Sequence, residues 1–317
     1  MTHDEAEGAE PLRRTYLYLR LSLVGVVAAI LLAVVFTPDG YLPAGEGILR
    51  SISHYYYTPA RIVFTAALCA ASLALLTLSG PGVQNRLLDV AALLAPLIAV
   101  VPTRVLPDEL GPAAGLSGCA DGWPAGLDCI PADQLDAVAL GFGVWAVLAA
   151  AVLVIAVIGG LRRRSGRGFW AAVAAGVGIL VVFLVLQWSP WSAVPYEGLQ
   201  LWGHVLAASA FFLLITVVAL IEAFRQATGQ GGQPARMSRR FYAVAYAASA
   251  SVLVVAVGVA VAAVLAAGDW GDAVFWAELV ALVAFAVFWT LQTVEHSGDG
   301  AGWHPVSFGR RRKRYMQ

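Results

Sequence analysis

Eight stretches of about twenty residues, almost free of charge, dominate this sequence: roughly 17–36, 60–79, 87–104, 135–160, 169–187, 201–224, 241–267 and 272–293. A helix rises 1.5 Å per residue, so about 20 mostly apolar residues cross the hydrocarbon core of a bilayer. The short apolar–polar alternation of a membrane barrel is absent. In lipid, the helix is the other way to satisfy every backbone N–H and C=O. The pattern predicts an all-α fold, a polytopic transmembrane bundle of about eight helices. The bundle occupies 17–293, between an acidic tail at 1–16 and a basic tail at 294–317. Composition agrees. The chain is 60% hydrophobic and 13% charged, against about 45–50% and 25% for a soluble domain. A soluble enzyme, a nucleic-acid binder and a disordered protein are excluded.

The basic residues orient the bundle. With the N-terminus in the cytoplasm, inner segments hold 17 of the 20 Arg and Lys, leaving only Arg50, Arg61 and Arg104 outside. The positive-inside bias then predicts both termini in the cytoplasm of a cell-membrane protein. The first apolar run follows Asp4, Glu5, Glu7 and Glu10 and has no small-residue cleavage site after it, so it reads as a signal anchor. The first dozen residues and the tail from about Ser297 lack apolar periodicity and are expected to be loosely attached.

The outer loops, 37–59, 105–134 and 188–200, are long and rich in Pro and Gly. Cys119 and Cys129 share the second of them. Oxidising conditions outside favour a disulfide there, contributing about 2–3 kcal/mol, over two free thiols. Cys69, within a helix, is expected to be a small core residue. Trp188, Trp191, Trp202 and Trp276 fit an aromatic belt at the outer interface.

Phosphate-binding, metalloprotease, nucleophile-elbow and EF-hand motifs are all missing. Chemistry must then come from polar groups inside the membrane. The second, fourth, sixth and eighth helices each carry one ionisable residue near the outer end: Arg61, Asp136, His204 and Glu278. Arg104 is expected to close the third helix at the same level. His54 and Tyr55-Tyr56-Tyr57 precede the second helix, with Thr58 as its N-cap and Pro59 as its first residue. Two readings follow. In one, His54, Tyr56, Arg61, Arg104, Asp136, His204 and Glu278 frame an outer pocket for a small polar or lipid-headgroup ligand. There Arg61 and Arg104 hold an anion, Asp136 and Glu278 balance them, and His204 hydrogen-bonds the ligand or relays a proton. In the other, each is an independent interfacial residue, the acids complementing helix dipoles and the arginines snorkelling.

His54, His204 and either Asp136 or Glu278 have the residue types of an open zinc site, but their spacing gives it no support, and no metal or other cofactor is expected. Ser51 or Ser53 beside His54 is a weaker candidate nucleophile pair. On the inner side, Asp89 and Glu222 lie near Arg86 and Arg225 as interfacial ion pairs. Membrane lipid is the expected partner. The run Arg310, Arg311, Arg312, Lys313 and Arg314 is either a contact for anionic lipid or a topology signal alone.

The stretch Ser51-Ile-Ser-His-Tyr-Tyr-Tyr-Thr-Pro-Ala-Arg61-Ile-Val-Phe64 resembles an uncharacterised family of bacterial polytopic membrane proteins. Its hallmark is a Ser-x-Ser-x-Tyr-Tyr-Tyr-Thr loop leading into a helix with Arg and Phe. Val101-Pro-Thr103, the His204 helix with Phe211-Phe212, and Phe275-Trp-Ala-Glu278 with Phe285 and Trp289 resemble the same family. The placement of the Ser-containing loop is similar to the wider DRAM-like families. The chain departs at Gln292 and Glu295-His296, where a Lys-Gly ending is expected. The resemblance implies architecture and marks residues; it implies no reaction. Three functions stay open: binding or translocating a ligand at the outer pocket, a membrane-embedded enzyme at the same pocket, and a structural or partner-binding scaffold.

Overall fold

In the computed structural model, residues 3–45, 47–78, 82–106, 109–124, 126–188, 196–231, 237–266 and 272–297 are described. The described chain is an all-α bundle of eight long helices: α1 (His3–Val35), α2 (Arg61–Thr77), α3 (Val83–Val100), α4 (Leu135–Arg163), α5 (Arg167–Gln187), α6 (Glu197–Ala227), α7 (Arg239–Leu265) and α8 (Ala273–Ser297). Seven are long and apolar enough to cross a membrane; α2, with 17 residues, falls just short. Large side chains such as Leu140, Val147 and Ile155 on α4 and Val181 and Val185 on α5 stand exposed. Together with the length of these helices, such faces suit a lipid surrounding.

Six helices form a closed ring. α1 packs on α2, α2 on α3, α3 on α6, α6 on α7, α7 on α8, and α8 back on α1. The α4–α5 hairpin lies outside this ring against α3 and α6. One end of the ring is capped by the segments 37–59 and 105–134. The cap is tied together by the Arg50–Glu109 ion pair at 3.0 Å, by Gly111 N–H donating to the Tyr41 carbonyl at 3.0 Å, and by a bridge between Val105 and Cys129. The Cys119–Cys129 disulfide sits in this cap, with Cα atoms 5.7 Å apart.

α3 carries Pro96 in its interior. A proline cannot donate to the carbonyl four residues back, here that of Ala92. Ser72 of α2 supplies the missing donor: its hydroxyl reaches the Ala92 carbonyl at 2.7 Å.

Four expectations need correcting. α1 begins at His3, so the acidic stretch is helical and continuous with the first apolar segment. α3 ends at Val100, and Arg104 lies beyond it in extended chain. α2 starts two residues later than its Thr-Pro signal; the Thr58 hydroxyl accepts from Ala60 N–H at 3.2 Å and holds the turn before the helix. Cys69 is exposed, because its face of α2 points out of the ring. Trp188, Trp202 and Trp276 are exposed, as a belt requires, while Trp191 and the run Arg310–Arg314 lie outside the described residues.

Candidate functional site at the capped end of the ring

The site is built around a short 3-10 helix, Ile52–Tyr57, lying over the end of the ring. Ser51 is its N-cap, with the hydroxyl accepting from Ser53 N–H at 3.0 Å. The free N–H groups at such a start attract an anion, and Glu278, on the first turns of α8, provides it. Its Oε2 accepts from Ser51 Oγ at 2.7 Å and Ile52 N–H at 2.6 Å, and its Oε1 from Ser53 Oγ at 2.9 Å. Phe275 N–H, one turn earlier, donates to the Arg50 carbonyl at 2.9 Å. The loop is thus fastened to α8.

Ser53 also reaches His204 of α6: Oγ and Nε2 are 2.8 Å apart. The other ring nitrogen, Nδ1, lies 2.8 Å from the Val101 carbonyl. A carbonyl only accepts, so Nδ1 carries a hydrogen. Gly203 makes this approach possible, since a Cβ there would stand 2.9 Å from Val101 Cγ1 and 3.0 Å from Leu199 Cδ1.

Ser53 has a single hydroxyl hydrogen to share between Glu278 Oε1 and His204 Nε2, so the two compete for one donor.

Beneath Ser53, His204 and Glu278 lies a cavity of about 120 Å³ inside the ring. Its walls are apolar along their length, among them Val27 and Ile30 of α1, Phe64 and Leu68 of α2, and Phe211 and Phe285 of α6 and α8. Its shape joins one polar end to a long greasy interior.

The other residues singled out in the sequence serve different contacts. Arg61 donates to Gln134 Oε1 at 2.8 Å and to the Tyr56 hydroxyl at 2.6 Å, with its guanidinium carbon 4.2 Å from the Tyr56 ring centre. It ties α2 to the start of α4. His54 Nε2 donates to the Arg104 carbonyl at 3.0 Å, so the backbone of Arg104 joins the site region. Burial pushes His54 down to about 4. Tyr57 donates to the Thr103 carbonyl at 2.7 Å, and burial holds its phenol well above the ordinary value. Asp136 is exposed on the first turn of α4, outside the ring. Of the seven expected pocket residues, His204 and Glu278 meet through Ser53. His54, Tyr56, Arg61 and Arg104 brace the same loop from its far side, and Asp136 stands apart.

Sequence reasoning placed Ser51 and Ser53 beside His54; the structure pairs Ser53 with His204 instead. The usable signal was a Ser-x-Ser ahead of a polar run, the pattern of a hydroxyl-capped turn. Among the described residues, no group of three His, Cys, Asp or Glu is placed to hold a metal ion. No family model matches the chain, and neither a curated protein nor a solved structure matches it.

Proposed function

We propose that this integral membrane protein binds an amphipathic, lipid-like molecule in the cavity at the capped end. Its apolar tail lies between α1, α2, α6, α7 and α8, and its head group faces Ser53, His204 and Glu278. The observation that carries this reading is the cavity itself, apolar along its walls and polar at one end. Ligand sites are commonly concave and largely apolar, with a few polar groups that fix orientation. A head group that both donates and accepts, such as a hydroxyl or a carbonyl with a neighbouring N–H, matches the mixed Ser–His–Glu set better than a bare anion, because the arginines are engaged elsewhere. The Arg and Lys distribution and the disulfide support an orientation with the capped end on the oxidising, non-cytoplasmic side of a cell membrane.

The test is mass spectrometry of organic extracts from the full chain purified in a mild detergent. An amphiphile should copurify with the wild type, less of it with Ser53→Ala, and almost none with Ala281→Phe, which fills the cavity wall. A folded Ala281→Phe protein that retains the molecule undiminished overturns the reading, as does a wild type that retains none.

The 2.8 Å contact between Ser53 and His204 favours a second reading, a membrane-embedded hydrolytic site. Its arrangement departs from the serine triad, in which the acid orients the histidine; here the acid holds the serine, and a backbone carbonyl holds the histidine. A serine-reactive phosphonate that labels the wild type but not Ser53→Ala supports this second reading, and absence of label removes it.

A further inference from the structure

The ring holds a second cavity, of about 230 Å³, at the opposite end from the cap. His204 and Glu222 on α6 are 18 residues apart, a rise of about 27 Å. Between the two cavities stand Phe285 and Trp289, with ring centres 6.2 Å apart; Phe285 lines the first and Trp289 the second. The second cavity is polar. Its lining includes Arg20 of α1, Gln84 of α3, Glu222 and Arg225 of α6, and Gln292 and His296 of α8.

Arg20 is 9% exposed. Its Nη1 donates to the Gln292 carbonyl at 3.2 Å, and its Nε has no partner. Among the described residues no carboxylate forms an ion pair with it. The acids nearby serve other donors. Glu222 accepts from Gln84 Nε2 at 2.6 Å and from Arg225 at 3.4 Å. Glu295 accepts from Gln226 and from the Tyr246 hydroxyl. A buried guanidinium satisfied by one carbonyl is costly, and most of all at membrane depth. An oxyanion cures this, because the planar fork of Arg matches its geometry. Glu222 in the lining and Glu295 close behind it balance the two arginines in number, yet both carboxylates are held by other donors, so the Nε of Arg20 is left for a ligand.

We propose that this cavity is a binding site for a phosphate-class oxyanion, with Arg20 as the deep anchor and Arg225 at the rim. The group could come from two sources, an anionic phospholipid headgroup or free phosphate. The volume admits either, since one water occupies about 30 Å³ of liquid.

The experiment uses the full chain in neutral detergent, with thermal unfolding followed while inorganic phosphate is added in one arm and phosphatidylglycerol in the other. Phosphatidylcholine is the neutral-lipid control. One of the two anions should raise the melting temperature in a saturable way; which one does so identifies the source. Arg20→Gln should weaken that binding by about tenfold or more, the loss of one charge-assisted contact. Glu222→Gln removes a negative charge from the lining and should tighten it several-fold. The opposite signs separate anion binding from general destabilisation. Equal response of Arg20→Gln and wild type, or no response to either anion, overturns the proposal.

Discussion

Ser53 has one hydroxyl and two partners, and that stoichiometry governs the outer cluster. Glu278→Gln presents an amide donor to Ser53 and keeps one acceptor for Ser51 and Ile52. The fold should survive this change, read as an unfolding midpoint close to that of the wild type. Glu278→Ala leaves Ile52 N–H and the Ser51 hydroxyl without their acceptor, and should cost about 2–3 kcal/mol in unfolding experiments. His54 sets a separate pH limit. It titrates near 4 in the fold, against about 6.5 unfolded. Between those values the unfolded chain binds a proton that the folded chain refuses. Stability is therefore complete above pH 6.5 and falls as pH drops towards 4, by about 3 kcal/mol. Unfolding midpoints measured from pH 7 to 4 should decline less steeply for His54→Gln. Parallel declines would show that another group carries the effect. At this scale the sequence marked His204 and Glu278 by their depth, because ionisable residues in apolar helices are few. It did not name Ser53 as the group that joins them, because that side chain comes from a loop whose path no periodicity describes.

Among the elements, α3 shows how a membrane helix keeps a proline. Ser72→Ala deprives the Ala92 carbonyl of its donor and should lower stability by roughly 0.6–2 kcal/mol, within the range of interhelical bonds in membranes. Ser72→Thr, which retains the hydroxyl, should lose less. Gly203 is the close-packing point between α6 and the end of α3. Gly203→Val should push the two apart, lengthen the His204–Val101 contact and reduce retention of the amphiphile. Crosslinking between the two segments would report the shift. The helices themselves were legible from apolar length, and every end but the start of α1 fell within about four residues of the expected position. The misses at the start of α1 and the end of α3 came where the boundary is set by polar side chains and packing and not by a change in hydropathy. Arg104 illustrates this: its segment is held extended by bonds to His54 and Tyr57 through the backbone.

At the scale of the molecule, the described residues form a ring of six helices with a hairpin attached, a cap at one end and a cavity towards each end. Removing the cap's crosslink by changing Cys119 and Cys129 to Ser should cost roughly 2–3 kcal/mol by loop-closure entropy and should loosen the cap without unfolding the ring. Hydrogen exchange confined to 105–134 is the expected readout; exchange spreading into α6 and α8 would show that the cap is part of the core. By itself the sequence determined the solvent, a bundle of about eight apolar helices and the preference for a disulfide over two free thiols. These follow from quantities local to the chain: the free energy of placing each segment in lipid, and a short separation between two thiols. Only the tertiary structure decided that α4 and α5 stay outside the ring, which removes Asp136 from the site. It alone brought Ser53 between His204 and Glu278, and left Arg20 buried against a cavity with no ion pair among the described residues. Lipid is as apolar as a helix surface, so hydropathy cannot say which faces meet. Packing of small residues and the pairing of a few polar groups make that choice.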